Sequence, residues 1–168
     1  MPLIEFSDCG LYCRPGNFYI DPWRPVDNAL ITHGHSDHAR WGMKHYLCHT
    51  HTKPILETRI GPGVYETIEW NETRYINGVK VSYHPSGHII GGSQIRVEQG
   101  GEVWVISGDY KVENDGVSGQ FEPVKCHHFI TECTFGLPIY KWKPQEEIFD
   151  GIKEWILENQ QAGRTSIL

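Results

Sequence analysis

The sequence predicts a mixed α/β fold in which short strands fill most of the chain and one long helix lies near its end. Two observations carry this prediction. Short apolar or alternating segments are separated by Gly, Pro and Asn, which is typical of strands joined by turns. After residue 144, apolar residues recur at helical spacing. A chain of 168 residues, 39% of them hydrophobic and 21% charged, fits one soluble domain with its own core, 1–168.

The predicted strands follow the apolar segments in order. They cover residues 3–6, 17–20, 29–32, 79–83, 94–97, 103–106 and 129–131. Gly100 and Gly101 separate two of these strands and predict a hairpin. Residues 55–60 predict a helix of about two turns, because Gly61 and Pro62 follow it and end the helical pattern.

The long helix is predicted from its two ends and its apolar stripe. Pro144 suits the first turn, and Gly163 suits the position just after the last. Glu146 and Glu147 complement the positive end of the helix dipole. The stripe consists of Ile148, Ile152, Trp155 and Ile156. Residues 165–168 then predict the start of a further strand.

Composition limits the location and the partners of the chain. No apolar run approaches the roughly 18 residues of a membrane span, and the N-terminus lacks the pattern of a signal peptide. We therefore expect a cytoplasmic protein without a membrane partner, whose five scattered cysteines are reduced. The net charge of −6 argues against a long basic groove for nucleic acid within these residues.

A dense group of metal-ligand residues directly follows the third predicted strand. His33 and His35 are two positions apart, so in an extended segment both imidazoles project to the same side. Asp37 and His38 then face a second position, and Gly34 is expected to permit a tight turn. Such nitrogen and oxygen ligands suit zinc or a similar first-row metal. A polar surface loop is the alternative interpretation, but three histidines and an aspartate at this spacing favour a metal site.

Residues 33–38 resemble the HxHxDH motif of the metallo-β-lactamase superfamily, and later segments match its other motifs in order. These segments end in Asp21 (Tyr-Ile-Asp), His88 (Ser-Gly-His) and Asp109 (Ser-Gly-Asp). The resemblance implies that His33, His35 and His88 share one metal. It implies that Asp37 and His38 bind a second metal together with Asp109, which bridges the two. Asp21 is expected to fix a ligand imidazole, although a strand-end cap before Pro22 is an alternative role.

Within that superfamily, residues 131–136 (Thr-Glu-Cys-Thr-Phe-Gly) resemble motif A of the β-CASP nucleases. The flanking segments are most similar to the bacterial DNA-ligase-associated exonucleases, which are also labelled mRNA 3′-end processing factors. The resemblance implies a metallo-β-lactamase-like αββα sandwich, of which residues 1–168 supply the first half, truncated before the β-CASP cap. It also implies catalytic roles for Asp37, Asp109 and Glu132, where Glu132 orients a histidine of a later motif that acts as general acid.

The function implied by this resemblance is metal-dependent hydrolysis of nucleic-acid phosphodiesters. We expect zinc as the cofactor, with manganese as the alternative, and a DNA exonuclease linked to repair or ligation, with a DNA ligase as a further partner. The alternatives are an RNA 3′-end processing nuclease, a metallohydrolase of small esters, thioesters or lactams, and an inactive metal-binding chain.

Two further expectations follow from the length of the matched region. In the family, the cap and the C-terminal part, with further histidines, come after the position that corresponds to residue 168. Residues 1–168 alone are therefore expected to be weakly active or inactive. The open face of the half-sandwich is also expected to favour self-association through apolar surface.

Overall fold

The structure is a computed structural model that describes residues 2–167. The chain divides into two compact units, Met1–Glu132 and Cys133–Leu168. The first unit contains two β-sheets and one short helix, and the second contains one long helix. These elements confirm the mixed α/β class, whereas a single domain over residues 1–168 stays a prediction.

The first sheet contains six strands that lie side by side in chain order. They are β1 (Glu5–Ser7), β2 (Gly10–Cys13), β3 (Phe18–Ile20), β4 (Asn28–Leu30), β5 (His45–His49) and β6 (Val64–Ile68). Strands β1 to β3 are antiparallel neighbours, and β3 to β6 are parallel. Because β3 and β4 run in the same direction, their carboxyl ends meet at one edge of the sheet. The residues that follow these two strands are thereby brought together.

The second sheet has five strands in the order β11-β10-β9-β8-β7. They are β7 (Thr73–Ile76), β8 (Val79–Pro85), β9 (Ser93–Gln99), β10 (Glu102–Ile106) and β11 (His128–Ile130). Neighbours are antiparallel except β10 and β11, which are parallel. Gly100 and Gly101 have φ of 58° and 83° and join β9 to β10, which confirms the predicted hairpin.

The two sheets share one buried core, and a helix covers the far side of the first sheet. Leu30 of β4 belongs to a cluster that also contains Val81 and Ile95 of the second sheet. Ala29 and Ile31 point to the opposite face, because side chains alternate along a strand. There they cluster with Leu56 of the helix α1 (Lys53–Ile60). The layers are therefore a helix and two stacked sheets, as in the predicted sandwich.

Several predicted boundaries need correction. The predicted strand at 3–6 lies at Glu5–Ser7 instead, and β2, β5, β6 and β7 were not predicted at all. The strand predicted from residue 165 is wrong, since residues 165–167 form none and residue 168 lies outside the described part. A strand needs a hydrogen-bonded neighbour, and the second unit has no strand among its described residues.

The second unit is built around helix α2 (Gln145–Gln161), which confirms the long helix predicted after residue 144. Pro144 occupies the N-cap position directly before it, and Gly163 follows it with a φ of 66°. Its apolar stripe is only partly covered, because Ile148 and Trp155 remain 42% and 40% exposed. Within residues 2–167, neither helix has both the length and the apolar character needed to cross a bilayer.

Candidate metal centre

Three strand ends deliver the predicted ligands to one place. Residues 33–38 follow β4, His88 follows two residues after β8, and Asp109 follows β10. His33 is completely buried, whereas His88 and Asp109 are about one-quarter exposed. The cluster is therefore anchored in the core on one side and open to solvent on the other, as a site that receives a ligand requires.

The first ligand group consists of three imidazoles and one carboxylate. One ligand atom from each of His33, His35, His88 and Asp109 lies within 4.8 Å of the other three. His35 Nδ1 lies 3.0 Å from His33 Nε2 and 3.2 Å from His88 Nε2. Three ring nitrogens and a carboxylate oxygen turned toward one point form the donor set of a tetrahedral zinc-type site. The residues present fit a metal at this position.

The second group forms on the other oxygen of the same carboxylate. Asp109 Oδ1 lies 3.2 Å from His38 Nε2, and Asp37 Oδ2 lies 3.6 Å from that nitrogen. Asp109 Oδ2 instead faces the first group, at 3.7 Å from His33 Nε2 and 3.5 Å from His88 Nε2. Asp109 therefore presents one oxygen to each group, which is the arrangement of a bridging carboxylate.

Asp21 contacts His38 of the second group at the ring nitrogen that faces away from the other ligands. It follows β3 with a φ of 43°, and its Oδ2 lies 2.8 Å from His38 Nδ1. Its Oδ1 accepts a hydrogen bond of 2.8 Å from the backbone N–H of Thr32. A carboxylate on the remote nitrogen of an imidazole fixes the orientation of the ring and leaves the other nitrogen for a metal. Asp21 therefore contacts His38 in the way expected of a residue that fixes a ligand imidazole, and its role stays a prediction.

The two buried histidines differ in their electrostatic state. Burial lowers the pKa of His33 to about 2, assisted by the charges of the neighbouring histidines. Burial also lowers the pKa of His38, but the hydrogen bond and charge of Asp21, with the charges of Asp109 and Asp37, raise it to about 9. Without a metal, His33 is therefore neutral at pH 7 and His38 carries a proton. Binding of a metal by His38 Nε2 must displace that proton, and this becomes easier as the pH rises.

Position 34 requires glycine because a larger side chain would collide with helix α1, not because the backbone is in an unusual conformation. Gly34 lies in a bend that leads into a turn at residues 36–38, and it does not have a positive φ. A Cβ atom at this position would lie 2.7 Å from Cγ2 of Ile55 on α1. Arg59 of the same helix donates a hydrogen bond to the carbonyl oxygen of Gly34. Helix α1 therefore packs directly against the backbone between His33 and His35.

Glu132 lies at the carboxyl end of β11, beside the second group. It lines a cavity of about 260 Å³ together with Asp37 and His38. Apolar side chains from both sheets form much of the remaining wall, including Ile20 and Ile106. All three residues that were predicted to be catalytic, Asp37, Asp109 and Glu132, are therefore close to the metal-ligand cluster, while their roles stay predictions.

We expect the purified chain to bind about one zinc ion tightly and a second one weakly. Three histidines can complete the first site, whereas the second group offers His38 and two carboxylates, and His38 must first lose its proton. Elemental analysis after zinc reconstitution and dialysis would measure this stoichiometry. His45→Ala, at an exposed histidine outside the cluster, is the matched control and should retain the metal. A chain that holds no zinc after reconstitution would contradict the prediction.

Sequence comparisons supply the relatives of this chain. No protein-family model matches it. The probable DNA ligase of Opitutus terrae is 28% identical over 89% of the chain and 15% of that protein. Endoribonuclease YSH1 of Yarrowia lipolytica is 37% identical over 66% of the chain and 18% of that protein. Cleavage and polyadenylation specificity factor 73 of Drosophila melanogaster is 27% identical over 98% of the chain and 26% of that protein.

The chain thus spans about a quarter or less of the length of these curated relatives. Among solved structures, the native FEZ-1 metallo-β-lactamase of Legionella gormanii matches 55% of the chain and 48% of that protein. The TM-score is 0.41 at 19% identity. The sequence matches agree with the family that the motifs predicted. By sequence, the chain is therefore similar to part of a probable DNA ligase, an endoribonuclease and a cleavage and polyadenylation specificity factor.

Proposed function

We propose that this chain provides the metal centre of a nuclease that hydrolyses nucleic-acid phosphodiesters with zinc, or alternatively manganese, as cofactor. The observation that carries the proposal is the carboxylate of Asp109, which directs one oxygen to each of two ligand groups. Two metals that share a bridging ligand suit an in-line displacement at phosphorus, because together they stabilise the attacking and leaving oxygens.

The residues of the chain would have different roles at such a two-metal site. The three histidines of the first group would hold one metal, and Asp37 and His38 would hold the other, with Asp109 shared. Asp21 keeps His38 oriented through Nδ1. When bound, the metals supply Lewis acidity and lower the pKa of water. Glu132, next to this group, would assist protonation of the leaving group through a histidine, as the family resemblance implies.

The relatives support a phosphodiester as the substrate. One of them is named an endoribonuclease, one a cleavage and polyadenylation specificity factor, and one a probable DNA ligase. We favour DNA, in a role linked to repair or ligation, because the DNA ligase match covers 89% of the chain. RNA is the second candidate, because the endoribonuclease match has the higher identity, 37%.

Hydrolysis of a small ester, thioester or lactam remains the competing proposal for the same metal ligands. Sites for such substrates are enclosed pockets of about 300–1,000 Å³. The cavity beside Asp37 and His38 measures about 260 Å³, close to the lower end of this range, so the two proposals are separated by turnover of model substrates. A cytoplasmic location, a ligase partner and self-association stay predictions from the sequence.

The decisive experiment uses bis(4-nitrophenyl) phosphate, a phosphodiester whose leaving group needs no protonation and which requires no extended groove. We expect the zinc- or manganese-loaded chain to hydrolyse it, and a chelator to abolish the reaction. Asp109→Asn should lower the rate about 100-fold or more, because metal clamping of such a reaction contributes several kcal/mol.

Asp27→Asn is the matched control, since Asp27 is an exposed aspartate that pairs with Lys44, and it should leave the rate unchanged. Nitrocefin and a small thioester test the competing proposal under the same conditions. Metal-dependent turnover of either one, without turnover of the phosphodiester, would overturn the proposed nuclease.

A further inference from the structure

Thr32 is a fully buried polar residue at the point where β4 leads into the metal ligands. It is 0% exposed and lies between the core residue Ile31 and the ligand His33. Its hydroxyl oxygen is 2.5 Å from Asp21 Oδ2 and 3.1 Å from His33 Nδ1. Its backbone is also fixed, because the carbonyl oxygen accepts a hydrogen bond from the N–H of Ser93. The side chain therefore connects Asp21 to a histidine of the first ligand group.

The directions of these hydrogen bonds follow from the chemistry of the partners. An ionised carboxylate only accepts, so the single hydroxyl proton of Thr32 is donated to Asp21. The hydroxyl oxygen is then left to accept from His33 Nδ1, which must carry the proton. A neutral imidazole has one N–H, so His33 Nε2 keeps a free lone pair. That nitrogen is the one that faces His35 and Asp109.

We propose that Thr32 is a positioning residue that holds His33 in the tautomer with the proton on Nδ1 and thereby presents Nε2 to the first metal. The inference rests on the proposed metal centre. It extends the influence of Asp21 to both ligand groups, since Asp21 contacts His38 directly and His33 through the hydroxyl of Thr32.

The side chain of Thr32 also packs against the backbone directly before the bridging ligand Asp109. A Cβ atom at Gly108 would lie 2.7 Å from both Cβ and Oγ1 of Thr32. Gly108 has a φ of 55°, which favours glycine, and it immediately precedes Asp109. The backbone that delivers Asp109 therefore packs directly on Thr32. One residue thus contacts the supporting carboxylate, a terminal ligand and the turn before the bridging ligand.

The test compares Thr32→Val, which removes the hydroxyl at similar volume, with Thr32→Ser, which keeps it. Long-range ¹H–¹⁵N correlation spectra of the metal-free chain report the tautomer of His33. The unmodified chain and Thr32→Ser should show the proton on Nδ1, whereas Thr32→Val should shift His33 toward the form protonated on Nε2. Competition with a chromophoric chelator should show first-site zinc affinity about 10–100-fold weaker in Thr32→Val and restored in Thr32→Ser.

Thr50→Val is the matched control, because Thr50 also donates its hydroxyl to a carboxylate, Glu69, at 2.6 Å but outside the metal cluster. It should change neither the tautomer nor the zinc affinity. If Thr32→Val does not fold, the unmodified chain still decides: His33 protonated on Nε2 would overturn the inference. Unchanged tautomer and affinity in a folded Thr32→Val would overturn it as well. A Thr32-dependent tautomer in a chain without phosphodiesterase activity would refute the proposed function alone.

Discussion

Replacing His33 with alanine should abolish tight binding of the first metal, whereas replacing Asp109 with alanine should spare that metal and remove the second. His33 is buried, and Nε2 of its ring lies 3.0 Å from His35 Nδ1 and 3.7 Å from Asp109 Oδ2, so its removal takes one of three imidazoles from the first group. Asp109 gives each group one oxygen, and the first group keeps three histidines without it. Removal of a residue that supports a metal ligand typically weakens metal binding by about 10–100-fold. His33→Ala should weaken zinc binding at the first site by more than this.

Zinc titration against two chelators of different affinity would resolve the two sites in each variant. Thermal unfolding of the metal-free variants provides the control for folding, because His33 lies in the core. If the two substitutions weakened the same site by similar factors, the assignment of a terminal role to His33 and a bridging role to Asp109 would be wrong.

The ligand cluster could be predicted because its residues follow strands whose apolar character is visible in the sequence. Residues 29–32 predicted a buried strand, and the structure places β4 at Asn28–Leu30 with His33 at its end. The order of the motifs then grouped His88 and Asp109 with His33. These residues converge because β3 pairs in parallel with β4 and the two sheets pack together. Neither the strand pairing nor the sheet packing can be predicted from the sequence of a single segment.

The missed features are those that depend on tertiary contacts. β5 has the sequence His-Tyr-Leu-Cys-His, and its polar ends do not match the pattern of a buried strand. In the structure, four of its five residues are buried. Thr32 carried no signal beyond being a polar residue at the end of an apolar strand, since its partner Asp21 lies 11 residues away. The close approach of Ile55 to Gly34 likewise depends on how α1 packs, so it could not be predicted from the sequence.

Residues 1–168 on their own should hydrolyse bis(4-nitrophenyl) phosphate more readily than they cleave single-stranded DNA. A nitrophenolate leaves without a proton, whereas a sugar oxygen needs one, and general acid catalysis typically contributes about 10²–10⁴-fold. The resemblance places the acid, a histidine partnered with Glu132, in a motif that follows the position of residue 168. The net charge of −6 adds little attraction for the phosphate backbone.

The comparison is between residues 1–168 and a longer protein that also carries the cap and the later histidines, both loaded with zinc or manganese. The longer protein should cleave labelled DNA about 10²–10⁴-fold faster than residues 1–168. Their rates of bis(4-nitrophenyl) phosphate hydrolysis should differ far less. Glu132→Gln should lower DNA cleavage by the longer protein and leave nitrophenyl ester hydrolysis by residues 1–168 nearly unchanged. Equal DNA cleavage by both proteins would mean that residues 1–168 already contain the complete catalytic machinery, and the role assigned to the later histidine would be wrong.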